Sequence, residues 1–412
     1  MLALGQLITE THPDGSVTTH AYNREGLPDQ IKVSLKDGKP QPIINHIVYN
    51  ANRQRTLVDY ANGVTTTHAY EATTHHLINL LSTRPGKDAQ GAAYRQAIQD
   101  IEYTYDPVGN ITRSVDKTHE TVFHNNQKVE PLSDYTYDAL YRLTKANGRQ
   151  HPGINAGTDR NNETDGSFKQ SQYASLSDNQ ALENYQETYE YDAGGNLTKT
   201  THTATNAWTR TNKILSGSNR LESMTTGNGT GNTQLFGHDK SGNLQQLNLN
   251  STVELTWNCC DNLIKAVFIP REGVADDADY YVYDSDEMRT RRISERLANG
   301  GTITWKDEKR YLGHYETKSV SQIKEGVETT VLVRNTLRVM DGETCVAIIH
   351  HWEKDDAKRE VEQAGTTSLR FQLGNHLGSV SLELDEVARI ISYDSIIKFF
   401  CGFYPLEIWQ KV

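Results

Sequence analysis

Residues Tyr103 to Thr112 read YTYDPVGNIT: an alternating strand, a turn and the opening of a second strand within ten letters. Tyr103 and Tyr105 fall on one face of a period-2 strand, while Thr104 and Asp106 face the other way. Asp106 starts the turn by accepting backbone N–H groups, Pro107 presets φ at the second turn position, and Gly109 takes a positive φ that a side chain resists. Asn110 and Ile111 then open the returning strand, so the stretch predicts a β-hairpin.

The same phrase recurs along the chain. YEYDAGGNLT (Tyr189 to Thr198) and FGHDKSGNLQ (Phe236 to Gln245) are clear copies. YTYDALYRLT from Tyr135, LTWNCCDNLI from Leu255, YVYDSDEMRT from Tyr281 and HAYNREGLPD from His20 are weaker, and IVYNANRQRT from Ile47 and HAYEATTHHL from His68 fainter still. The turns are marked by Asp106, Asp138, Asp192, Asp239 and Asp284, with glycines at Gly109, Gly195 and Gly242. Tyr141 and Glu287 stand at the glycine position of their copies, which predicts strain or a different turn there. Further Asn-Gly and Asp-Gly pairs, among them Asp14-Gly15, Asn62-Gly63, Asn147-Gly148 and Asp341-Gly342, are hairpin markers.

A lone hairpin is marginal in water, and only neighbours laid edge to edge bury its aromatic face. The copies therefore predict an all-β chain whose hairpins form one long, curved, mostly antiparallel sheet. Residues 148–187 break the rhythm with a polar, Gly/Asn-rich text, read as an inserted loop with a short helix near Leu182. No other stretch of ten residues has a persuasive helical period; the best candidate is the charged run His351 to Gln363, with a solvated loop as its alternative.

Composition narrows the function. Of 412 residues, 36% are hydrophobic, and 42 Lys+Arg against 53 Asp+Glu give a net charge of −11, which argues against a nucleic-acid binder. The aromatic choice is skewed to 21 Tyr over 8 Phe and 5 Trp, as suits half-buried strands whose hydroxyl must find a partner. The 4 Cys form no CxxC pair, no apolar run approaches the ~18 residues of a membrane helix, and the first residues show no signal peptide.

These repeats resemble the YD repeat of Rhs proteins. LTWNCCDNLIKAV, ADYYVYDSDEMRTRR and especially LRFQLGNHLGSVSLELDEVARIISYD resemble the C component of bacterial insecticidal Tc toxin complexes. The resemblance runs from about Thr18 to Asp394, and Asn375 to Glu386 is its most specific part. It implies a shell. In that family the hairpin strip spirals, together with a B component, into a hollow cocoon around an unfolded cytotoxic cargo, and a downstream core closes the shell with an aspartyl-protease-like site. The implied division is 1–340 as repeat shell, 341–394 as the start of the Rhs-associated core, and 395–412 as a divergent tail consistent with a shifted reading frame. Both ends read as truncated relative to the family, so no catalytic residue is carried over and no cargo segment is expected. The implied location is a secreted or cell-associated toxin complex, made in the cytoplasm before release. The alternatives are a surface Rhs-type adhesin binding carbohydrate through its Tyr strip, a lyase on a β-solenoid, and a gene remnant that does not fold alone.

Other residue groups are read as structural. The turn aspartates sit one per hairpin, whereas acid/base or calcium sites need carboxylates converging in one cleft. His75-His76 and His350-His351 are adjacent on strands and point to opposite faces, so no metal is expected. Arg289 and Arg291 are placed on one strand face, in a position to meet acidic cargo or the acidic turn of a neighbour; a solvated face is the simpler reading. Cys259-Cys260 occupies turn positions, and no cofactor is implied.

Overall fold

The computed structural model describes residues 5–152 and 181–393, apart from 37, 88–90, 228–231, 247–252, 274, 298–302, 357, 359, 361–363 and 378. Every regular element among them is a strand, and every strand pairs antiparallel with its neighbour. The all-β, antiparallel expectation is borne out. Strand order follows chain order almost throughout, as a meander of successive hairpins requires.

The ribbon is parted into two large sheets. A sheet of 16 strands runs from Thr9–Thr11 to Asn232–Leu235, and one of 11 strands from Glu254–Trp257 to Ile390–Tyr393. Between them the ladder narrows to the single pairs His238–Leu244 and Gln246–Glu254 around the short hairpin at Asp239. A separate two-stranded hairpin, Val122–His124 with Gln127–Val129, stands out of the first sheet and leaves Phe123 exposed.

Several local expectations are corrected. The break at 148–187 is narrower: Gly148 to Gln150 end the strand Leu143–Gln150, and the next strand, Glu183–Tyr191, begins immediately after Leu182, which is not helical. Residues 153–180 of that stretch lie outside the described residues. Asn147-Gly148 is no turn but strand interior, because the ring of Tyr185 lies across Gly148 from the paired strand; a Cβ there would come within 2.9 Å of the Tyr185 ring. The run from His351 begins as the strand Thr344–Asp355, since its alternating residues pair with Val327–Asp341 on one side and Thr367–Gly374 on the other.

The largest core lies where the end of the second sheet packs on the start of the first. Ile31, Val33, Ile44, Ile47 and Val58 meet Leu337, Ile349, Phe371, Leu373, Leu382 and Leu384 in one buried cluster, with Tyr60 edge-on to Phe371. Polar ties cross the same seam. Gln99 donates to Ser381 Oγ (2.6 Å), Arg84 to the Ala388 carbonyl (2.7 Å), and Arg55 pairs with the buried Asp341 (2.9 Å). Burial pushes the Asp341 carboxyl up, opposed by the Arg55 guanidinium beside it. His376, from the turn after Thr367–Gly374, sets its ring against Tyr103 of the first sheet at 4.5 Å. A segment far along the sequence therefore lands on strands near its beginning.

Candidate functional site

The repeated turns share one geometry. In the hairpin at Asp106, the Asp106 N–H donates to Asn110 O and the Gly109 N–H to Asp106 O. The Asp106 carboxylate accepts from the N–H of Val108 (3.0 Å) and Asn110 (2.9 Å). The same bonds recur at Asp138, where Leu140 and Arg142 donate, and at Asp284, where Asp286 and Met288 donate. Asp192 accepts from Asn196 N, and Asp239 from Gly242 N and Asn243 N. Asn23, Asn50, Asn258, Asn375 and Asp385 hold their turns in the same way. The bond from the Asn110 amide leads several that hold the Asp106 carboxyl below the usual range, the Asn196 amide leads likewise at Asp192, and turn N–H groups lead at Asp138 and Asp239. These lone pairs are occupied by the backbone they organise, and among the described residues no group of three or more metal-ligating side chains converges.

The turn is a three-residue loop closed by a residue in the left-handed region, followed by a one-residue bulge. Gly109, Gly195 and Gly242 have φ of 97°, 86° and 103°. Tyr141 and Glu287 keep the same turn, with φ of 62° and 61°, and Asp261 and Ala388 do likewise. The turn type is thus preserved where glycine is absent, and the strain is carried, at about 1 kcal/mol or more per residue.

Two recurring contacts went unread in the sequence. The threonine one place into the returning strand sits in the bulge and donates its hydroxyl across the hairpin: Thr112 to Thr104 O, Thr144 to Thr136 O, Thr198 to Glu190 O and Thr290 to Val282 O, at 3.0–3.3 Å. Its signal is visible in GNIT, YRLT, GNLT and MRT. The second contact joins one repeat to the previous one. The tyrosine immediately before each turn donates its hydroxyl to the carbonyl that opens the preceding hairpin's returning strand: Tyr49 to Pro28, Tyr70 to Arg55, Tyr105 to Leu77, Tyr137 to Ile111, Tyr191 to Leu143 and Tyr283 to Leu263, at 2.7–3.0 Å. Trp257 Nε1 makes the same bond to Leu244 O, and Asn212 Nδ2 to Leu197 O. The bulge leaves this carbonyl outside the regular ladder, and a phenol from the next strand reaches it. This explains the preference for Tyr over Phe.

Neighbouring turns also touch along the edge they share. Arg53 donates to Glu25 O (3.2 Å), Gln54 to His75 O (2.9 Å), and Asn243 to the Asp261 carboxylate (2.7 Å). The arginine cluster is placed differently from expectation. The bulge after Asp284 puts Arg289 over the rings of Tyr281 and Tyr311, on the face where Arg292 meets Asp279, while Arg291 lies on the opposite face against Glu308. All three are engaged within the sheet. His350 and His351 bond Thr336 and Thr367 respectively, away from each other.

Comparison with known proteins places this arrangement. No family model matches the chain. It is 32% identical over 399 residues to toxin subunit YenC1 of Yersinia entomophaga, covering 95% of this chain and 38% of that subunit. It is 35% identical over 302 residues to toxin subunit YenC2 of the same organism, covering 72% of this chain and 30% of that subunit. The chain thus spans well under half the length of these relatives. Its fold matches a crystal structure of TcdB2–TccC3 at a TM-score of 0.74 and 28% identity, over 95% of this chain and 18% of the other. The Photorhabdus luminescens Tc holotoxin pore carrying the TccC3 D651A mutation matches equally, at a TM-score of 0.74 and 28% identity over 95% of this chain and 17% of the other. Homologous in sequence to these toxin subunits and alike in fold over nearly its whole length, the chain belongs to the Rhs-type C components of Tc toxin complexes.

Proposed function

We propose that the chain forms part of the wall of a toxin-complex shell, built with a B-type subunit around a cytotoxic cargo. The role is mechanical. The observation that supports it is the latched ribbon: six hairpins bond their predecessors through a tyrosine hydroxyl and two more through Trp257 and Asn212, and the last strands dock on the first. A ribbon of this kind resists local opening, because lifting one hairpin breaks ladder and latch together. Within this reading, residues 1–340 act as repeat shell and 341–394 as the start of the closing core. Asp106, Asp138, Asp192, Asp239 and Asp284, with Gly109, Gly195 and Gly242, serve as turn formers and not as catalysts. The complex acts outside the producing cell.

The carbohydrate-binding alternative needs an exposed aromatic platform. Among the described residues Tyr94 and Tyr141 are the exposed tyrosines, and they lie on separate parts of the first sheet. The test is co-expression with a B-type subunit of a related complex, followed by size measurement and limited proteolysis. Co-elution as a large, protease-resistant hollow particle supports the shell; two separately eluting, protease-sensitive chains would refute it.

A further inference from the structure

Cys259 and Cys260 occupy the two central positions of the turn opened by Asn258, whose carboxamide oxygen accepts from Cys260 N (2.9 Å) and Asn262 N (2.9 Å). Both thiols are exposed and neither is in a disulfide. The two thiols are carried by adjacent residues of one turn. Cys260 also lines a groove of about 380 Å³ between this turn and the neighbouring turn at Asp284, walled by Tyr283 and Glu287. The other described cysteine, Cys345, is half-buried in a distant strand and donates to Ala347 O.

We propose that Cys259–Cys260 is a vicinal dithiol site that exchanges with small-molecule disulfides of the glutathione class. One thiolate attacks the external disulfide and releases one equivalent of thiol, leaving a mixed disulfide. The second thiol loses its proton, attacks the protein-side sulfur and expels the second equivalent, so that the protein is oxidised by two electrons and the reagent reduced by two. The product is a ring disulfide between adjacent residues. Their Cα atoms are about 3.8 Å apart, shorter than the common span of about 4.4–6.8 Å, so the ring is strained and easily reduced. The neighbouring Cys259 thiol, ahead of desolvation and the Glu287 and Asp261 carboxylates, raises the Cys260 thiol above its ordinary range, so exchange accelerates toward alkaline pH. Ring closure also reshapes a turn whose preceding residue, Trp257, carries the latch to Leu244.

The test uses the full chain incubated with oxidised glutathione and read by intact mass and peptide mapping. The expected product has lost two hydrogens at Cys259 and Cys260, carries no glutathione on either of them, maps to a 259–260 crosslink and reverts with dithiothreitol. Closure speeds up as pH rises, and Trp257 fluorescence changes with it. Cys345→Ser should close equally, while Cys259→Ser and Cys260→Ser should each hold a stable glutathione adduct. A wild-type chain that stops at glutathione adducts on both residues, stays unmodified, or pairs either cysteine elsewhere would overturn the proposal.

Discussion

Replacing Tyr137 by Phe tests the latch with little other disturbance, since the ring stays and only the hydroxyl that reaches Ile111 O at 2.9 Å is lost. A hydrogen bond of this kind contributes about 0.5–1.5 kcal/mol net, and no cavity is made. Taking about 1 kcal/mol, the opening equilibrium between the hairpins at Asp106 and Asp138 should rise roughly five-fold. The assay is native-state hydrogen exchange read by mass spectrometry on peptides covering Ile111–Asp116 and Leu132–Tyr137. Protection there should fall by that factor, with little change in strands several repeats away, because coupling in a repeat array is to nearest neighbours. Tyr141→Phe is the control: its side chain is 61% exposed at the turn tip, so its loss should be near zero. Equal exchange in Tyr137→Phe, Tyr141→Phe and the parent chain would refute the latch as the link between repeats. So would a uniform loss of protection over both sheets.

Other consequences follow from the seam and the turns. Arg55→Leu leaves Asp341 buried without its counter-charge and should cost on the order of 3 kcal/mol at neutral pH. Because the folded Asp341 carboxyl is raised above its ordinary 3.8, this penalty should shrink as pH falls through the raised value; a penalty that grows on acidification in thermal scans would contradict the assignment. His68, His350 and His376 are held down to about 4 by burial, so the neutral rings support the fold fully above about pH 6.5 and progressively less toward pH 4. His376→Phe should flatten that acid limb in urea midpoints measured at pH 7 and pH 5; an unchanged limb would remove His376 from the account. Glu287→Gly should stabilise by about 0.5–1 kcal/mol in urea unfolding, since glycine relieves the left-handed φ of 61°. Lower stability would mean that the Glu287 side chain matters more than its backbone.

The hairpins were legible because each is a local event. Asp, two tolerant residues, a left-handed position and an aromatic on the alternating strand fix a turn within ten residues, whatever surrounds it. The dipeptide Asn147-Gly148 carries a turn signal that its neighbour overrides: only the paired strand supplies Tyr185 to cover the glycine. The face of Arg289 is not legible in the sequence for a related reason, since one extra residue in a bulge inverts the alternation on which face assignment rests. The latch was half-visible in the excess of Tyr over Phe, but its acceptor is a backbone carbonyl on the previous hairpin, which carries no residue-type signature.

By itself, then, the sequence determined the hairpin, its turn chemistry and the need for neighbours, because period-2 alternation and φ preferences act over a few residues. Tertiary structure alone decided that Phe371, Leu382 and Leu384 land on Ile31, Ile44 and Val58, and that Asp341 finds Arg55. Those partners are hundreds of residues apart. Their meeting depends on the summed twist and bend of the intervening strands, a quantity no short stretch of sequence contains.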